Sequence, residues 1–137
     1  QVRAKEALAL YKKLAKATAK GLFRSLHTPV FGGLGVAFAK TAMAGRLGLD
    51  LDLDLVPTAG VLDTLSLLFS ESNSRFVATI APKDRAAFEK LLAGSSYACI
   101  GKVTRTPAIQ LRRGHKTVAK VPVAKALDAY KGTLDNI

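Results

Sequence analysis

Leu47-Gly48-Leu49-Asp50-Leu51-Asp52-Leu53-Asp54-Leu55-Val56 alternates apolar and acidic residues almost without a break. A helix would scatter those leucines around its whole circumference, whereas a strand sets every second side chain on one face. Residues 47–56 are therefore predicted as a half-buried strand, with leucines inward and aspartates toward solvent. Asp50, Asp52 and Asp54 share that outer face, but at roughly 3.3–3.4 Å per residue successive members stand about 6.6–6.8 Å apart. Calcium holds its oxygen ligands at about 2.3–2.6 Å, so a strand of this kind makes a poor cation seat. A solvated face, or a charged edge that discourages strand pairing, is the reading adopted, and no metal site is assigned.

Outward from the strand, helical and extended segments take turns. Leu8, Tyr11, Ala15, Thr18, Leu22 and Leu26 recur every three or four positions, which predicts a helix over 3–26. His27-Thr28-Pro29 ends it, since the residue before a proline avoids the α region. Lys12, Lys16, Lys20 and Arg24 stand four apart and would form one basic stripe on that helix. Gly32-Gly33 then leads into LGVAFAKTAMAG, a small-residue apolar helix closed by Gly45. After the Leu/Asp strand come a turn at Pro57–Gly60, a short apolar helix or turn at Val61–Phe69, and the polar run Ser70–Ser74. A strand over 75–81, a helix at Arg85–Leu92 ended by Gly94, and a strand at Tyr97–Thr104 follow. Ile109–Arg112 and Thr117–Ala119 form a hairpin around Arg113-Gly114-His115. Pro122 opens a last helix that runs to about Lys131. The pattern predicts an α/β (α+β) domain, a mixed β-sheet flanked by helices.

The chain has 137 residues, 49% hydrophobic and 23% charged, which suits one domain over 1–137 and excludes collagen-like, disordered and coiled-coil classes. Cys99 is the single cysteine, so no internal disulfide forms; it sits in an apolar strand and reads as a small buried hydrophobe. His27 and His115 have no metal-spaced neighbour, and no catalytic residue is assigned. Charges interrupt every apolar run short of the roughly 18 residues that span a bilayer, so no membrane contact is expected. The first residues lack the apolar core of a secretory signal, and there is no initiator Met. A cytoplasmic protein, and a fragment of a larger one, is the expectation.

Net charge is +11, and it is unevenly placed. Residues 1–28 carry seven basic groups against Glu6, residues 102–137 carry eight against Asp128 and Asp135, and the middle is close to neutral. Nucleic acid and acidic protein partners both fit such ends. Aromatic residues make up only 7% and do not interleave with basic ones, so nucleic acid is the weaker reading.

Two segments carry binding chemistry. Gly32-Gly33 ahead of a helix lets the backbone approach an anion at a helix N-terminus, although a plain helix-entry turn fits as well. Ser70–Arg75 gathers hydroxyls, a carboxylate, an amide and a guanidinium, suited to a polyhydroxylated or phosphorylated ligand or simply to a polar turn. Arg75 could grip a phosphate, or pair internally with Glu71 or a strand aspartate. The two segments are expected to adjoin as one wall.

The order His27, short loop, Gly32-Gly33-Leu34, helix ending Ala42-Met43-Ala44-Gly45, Leu/Asp strand, Leu68-Phe69-Ser70-Glu71-Ser72-Asn73-Ser74-Arg75-Phe76, strand, Ala81-Pro82 resembles the carboxy-terminal domain of phosphoribosylformylglycinamidine synthases. These belong to the superfamily of aminoimidazole ribonucleotide synthetase and selenophosphate synthetase. The resemblance implies an α/β domain of an ATP-dependent purine-biosynthesis ligase, which turns an amide into an amidine with glutamine-derived ammonia. It implies ATP and Mg in the parent enzyme and no cofactor held by this chain alone. It also implies an ATP-binding domain and a glutaminase domain or subunit as partners, and a ribonucleotide substrate. Substrate-binding residues on this basis are Glu71, Ser72 and Asn73, with Gly32, Gly33 and Arg75 beside them. A basic interaction or nucleic-acid-binding module without catalysis is the alternative.

Overall fold

In the computed structural model, which describes residues 4–132, the leucines of the alternating stretch lie at the centre. The chain runs α1 (Ala4–Ala19), β1 (Phe23–His27), α2 (Gly33–Gly45), β2 (Gly48–Asp52), α3 (Thr64–Phe69), β3 (Val77–Ile80), α4 (Arg85–Leu92), β4 (Gly101–Thr104), β5 (Ala108–Arg113), β6 (Lys116–Pro122) and α5 (Val123–Gly132). Strands β4-β2-β5-β6 make a four-stranded mixed sheet, in which β2 is parallel to β5 and antiparallel to β4. Strands β1 and β3 form a separate antiparallel pair, so the expected mixed sheet comes with a second, smaller one. Among the described residues no helix is long and apolar enough to cross a membrane.

The register explains the core. Leu49 lies beside Ile109 and Leu51 beside Leu111, putting four apolar side chains on one face of the sheet. That face packs with Leu34, Phe38 and Ala42 of α2, Leu67 and Leu68 of α3, and Val123 of α5. The aspartates fill the other face and are neutralised by the neighbouring strand. Arg112 Nε meets Asp50 Oδ1 at 2.8 Å, and its Nη1 stands 4.0 Å from Asp52 Oδ2; Arg113 Nε is 3.4 Å from Asp54 Oδ1. The hydrogen bond to Asp50 holds the Arg112 guanidinium above its ordinary pKa. The ladder stops at Asp52 rather than 56, because Leu53–Leu55 closes a 3-10 turn in which Asp54 N donates to Asp52 Oδ1 at 3.1 Å.

The first helix is shorter than its periodicity predicts, ending at Ala19 instead of 26. Gly21, at φ 65°, terminates it in a Schellman motif: Gly21 N donates to Thr18 O at 2.9 Å and Leu22 N to Ala17 O at 3.1 Å. Residues Phe23–His27 then pair with β3, and the Ser25 and Thr79 hydroxyls bond across the strands at 2.6 Å. Arg24 therefore lies on a strand and leaves the lysine stripe. Within α1, Leu14 and Ala17 are buried while Leu8 and Tyr11 are exposed. Two apolar series run along this helix, and only tertiary contact selects between them.

Three smaller expectations also change. Cys99 is exposed in the segment before β4, which begins only at Gly101, and is not a buried strand residue. The β5–β6 hairpin is longer than expected, and Pro122 ends its second strand rather than opening α5. Lys13, next to the stripe but not part of it, donates its ammonium to Ala93 O at 2.7 Å and Ser95 Oγ at 3.0 Å, tying α1 to the end of α4.

Phe38 is 1% exposed at the junction of α2 with its neighbours. Phe38→Ala should cost about 3–5 kcal/mol of unfolding free energy, read from urea denaturation as a lower midpoint. A loss well under 1 kcal/mol would mean that α2 is not the core element described here.

Candidate functional site

The Gly-Gly turn and the Ser70–Arg75 loop are in direct contact. Gly32 and Gly33 have φ of 78° and 58°, conformations open to glycine at little cost. A Cβ on Gly33 would fall 2.6 Å from Leu68 O and 2.8 Å from Ser70 O, so the absent side chain allows the two backbones to touch. Gly32 N donates to Glu71 Oε1 at 2.9 Å, which places a carboxylate at the N-terminus of α2, where helix N–H groups and dipole favour negative charge.

Helix α3 delivers the loop to this place. Asp63 caps it, accepting from Leu65 N at 2.9 Å, Ser66 N at 3.0 Å and Ser66 Oγ at 2.5 Å. Those bonds, the Ser66 hydroxyl first, hold the Asp63 carboxyl below its usual pKa. Leu67 and Leu68 anchor the helix in the core, and the chain then leaves through Ser70. The loop is braced from inside by Arg75: its Nη2 donates to Ser70 O, and its Nε lies 3.4 Å from Ser72 O. From outside, the Tyr11 hydroxyl bonds Ser74 Oγ at 2.8 Å, and the Tyr11 ring packs edge-on to Phe76.

Clefts open on both sides of this loop. The first, of 670 Å³, lies between α1 (Ala4, Ala7, Leu8, Tyr11), the Thr28–Val30 turn and Glu71, Ser72, Asn73 and Ser74. The second, of 440 Å³, lies between residues 56–60, Leu62 and Leu67 and the loop residues Ser70, Ser72 and Arg75. Ser72 lines both. Of the six residues singled out from the sequence, Glu71, Ser72 and Asn73 face the first cleft and Arg75 faces the second. Gly32 and Gly33 line neither; they support the wall from behind. Arg75 takes neither internal ion pair considered for it, since Asp50, Asp52 and Asp54 engage Arg112 and Arg113, and Glu71 turns to Gly32.

Chemically, the first cleft is an acceptor-rich surface with neutral donors, the set that binds vicinal hydroxyls. Sequence reasoning missed Tyr11 as a lining residue, because the apolar series of α1 reads as core, and Thr28, because His27-Thr28-Pro29 reads as a helix stop. It also missed the second cleft, whose far wall is the Pro57–Gly60 turn.

A mixed sheet backed by helices, with an acidic serine loop seated on a glycine-initiated helix, defines an α/β domain. Residues 2–114 match the family model for AIR synthase related protein, C-terminal domain, and the chain belongs to that family. The phosphoribosylformylglycinamidine synthase subunit PurL of Limosilactobacillus fermentum is 40% identical over 104 residues, covering 76% of this chain and 13% of that protein. Its counterpart from Thermococcus sibiricus is 32% identical over 90 residues, 66% of this chain and 12% of its own length. Thermotoga maritima PurL complexed with FGAR has the same fold, with a TM-score of 0.79 over 88% of this chain and 20% of that chain at 20% identity. The chain thus spans about an eighth of the curated relatives it matches.

Asp63 generates a pH prediction. Its carboxyl is more acidic folded than unfolded, so its stabilisation is present above the unfolded value of about 3.9 and is lost as pH falls through the folded one. Asparagine keeps a capping oxygen without the titration. Melting temperatures measured from pH 7 to 2 should therefore fall less steeply for Asp63→Asn than for the parent below about pH 4. Parallel curves would show that the cap does not contribute to the acid limb.

Proposed function

We propose that this chain works as the carboxy-terminal domain of an ATP-dependent phosphoribosylformylglycinamidine synthase, a cytoplasmic purine-biosynthesis ligase, and forms one wall of its ribonucleotide site. The observation that carries the reading is the seat of Glu71. One carboxylate oxygen is fixed by Gly32 N, which leaves the other to accept from ribose hydroxyls beside Ser72 and Asn73. Family membership and the likeness to the PurL subunits support it, and T. maritima PurL has been solved complexed with FGAR, with ATP and as PurLQS.

The residues of this chain do not fit a nucleotide triphosphate with its magnesium. The helix N-terminus that would attract phosphate already holds Glu71, and the first cleft is lined by that carboxylate without a cation. Among the described residues no group of three His, Cys, Asp or Glu side chains gathers to hold a metal. On this reading ATP and magnesium belong to a partner domain, and ammonia comes from a glutaminase domain or subunit. Leu8, Val30 and Phe31, which are 54%, 58% and 82% exposed around the first cleft, offer an apolar rim for the rest of the enzyme to cover. This chain's residues bind and orient the ribose, and the chemistry takes place on the other wall. The nucleic-acid alternative loses ground, because Arg24 lies on β1 and is off the stripe.

The test is made in the full-length enzyme. Asn73→Ala and Glu71→Gln should each raise KM for formylglycinamide ribonucleotide, by about tenfold for the charged residue, with smaller effects on kcat. Unchanged KM in both variants would refute the ribose-binding role. The 137-residue chain alone should show no micromolar affinity for Mg-ATP by calorimetry, and such affinity would overturn the division of labour proposed here.

A further inference from the structure

The ribose reading leaves the second cleft without a role. Arg75 is the one charged side chain on its wall, among apolar Val56, Leu62 and Leu67. The guanidinium is half-buried and held in place by the Ser70 and Ser72 carbonyls. Those contacts use two of its five N–H groups and leave three. No carboxylate among the described residues pairs with it: Asp50, Asp52 and Asp54 serve β5, Glu71 serves Gly32, and Asp63 caps α3. A cation drawn from water without a counter-charge is unfavourable, and burial pulls the Arg75 pKa down accordingly. A second guanidinium reaches the rim, where Arg113 Nη2 donates to Leu62 O at 2.8 Å. The cleft is therefore short of one negative charge, and its cation is already oriented.

We propose that the second cleft is an anion subsite that takes a phosphomonoester, held in a two-pronged grip by Arg75 with the Ser72 hydroxyl alongside. Arginine suits this task because its planar fork matches two phosphate oxygens, which a lysine would meet only as a point charge. The inference deepens the ribonucleotide reading, on which it rests only for the source of the phosphate. Ser72 lines both clefts, so a ribose facing Glu71 and its phosphate facing Arg75 would lie on opposite sides of one short residue. Free phosphate has the same chemistry, and the experiment separates the two sources.

The isotopically labelled 137-residue chain is titrated with inorganic phosphate, ribose 5-phosphate and ribose at constant ionic strength, and amide shifts are followed by NMR. Phosphate should give saturable, millimolar shifts confined to residues 56–62 and 70–75. Arg75→Met should weaken binding about tenfold or more, and Arg75→Lys should fall between it and the parent. Because Arg75 also braces its loop, Ser72→Ala is measured in parallel and should weaken phosphate binding with the spectrum otherwise unchanged. Tighter binding of ribose 5-phosphate than of phosphate, reduced to the phosphate level by Glu71→Gln, identifies the nucleotide as the source. Equal binding of both, indifferent to Glu71→Gln, keeps the anion subsite and counts against the ribose role of Glu71. Shifts centred on the α1 lysines, no saturation, or full affinity in folded Arg75→Met would overturn the proposal.

Discussion

Helix α2 must be covered on nearly every side, and the rest of the fold follows from that constraint. Its sequence, GLGVAFAKTAMAG, has one charged residue, and a helix that apolar is stable only when buried. One sheet cannot enclose it. The four-stranded sheet takes one flank, while α3, α5 and the β1–β3 pair close the others. Small side chains make this enclosure tight: Ala37 and Ala42 are completely or almost completely buried, and Gly35 would carry its Cβ within 2.9 Å of the Phe69 ring.

A helix enclosed in this way still has polar ends. At the carboxyl end Arg46, at φ 50°, turns the backbone and donates its N–H toward Ala42 O and Met43 O. At the amino end part of the answer comes from another segment, the carboxylate of Glu71. The same side chain thus satisfies a helix terminus and faces the first cleft. Its position is fixed at long range, through α3 and its buried leucines, rather than by the flexible geometry of a surface loop.

Much of this could be read from the residues alone, for physical reasons that also mark where reading failed. Residues 47–56 were legible because period-two alternation over a long stretch has no helical equivalent, and residues 33–45 because an apolar run of that length between glycines suits a buried helix. Strand β1 was not legible, since Leu22 and Leu26 continue the spacing of α1 by coincidence. The one local signal against a longer helix was Gly21, which is tolerable inside a helix and decisive only at its end. Cys99 was placed inside because Tyr97–Ile100 is apolar in composition; the ladder reaches only as far as Gly101, which a Cβ would drive to 2.0 Å from Asp50 O. The loop Ser70–Arg75 was legible as a polar cluster. That it divides two clefts was not, because the opposing walls come from α1 and from residues 56–62, distant in sequence.

The charge distribution gains a different meaning once the contacts are known. The basic excess at the two ends suggested a surface awaiting an acidic partner. Several of those groups are already committed within the chain: Arg112 and Arg113 balance the aspartate row, and Lys13 caps the end of α4. Arg85, from the middle, pairs with Glu89 on its own helix. Arg75 differs from Arg85, Arg112 and Arg113, because its partners are carbonyls and, as with Lys13, they orient its charge without cancelling it. Net charge is therefore a weak guide to function in this chain. What discriminates is whether a charge is balanced where it sits, and the serine-rich loop is where an acidic group and a basic group are held apart, each facing its own cleft.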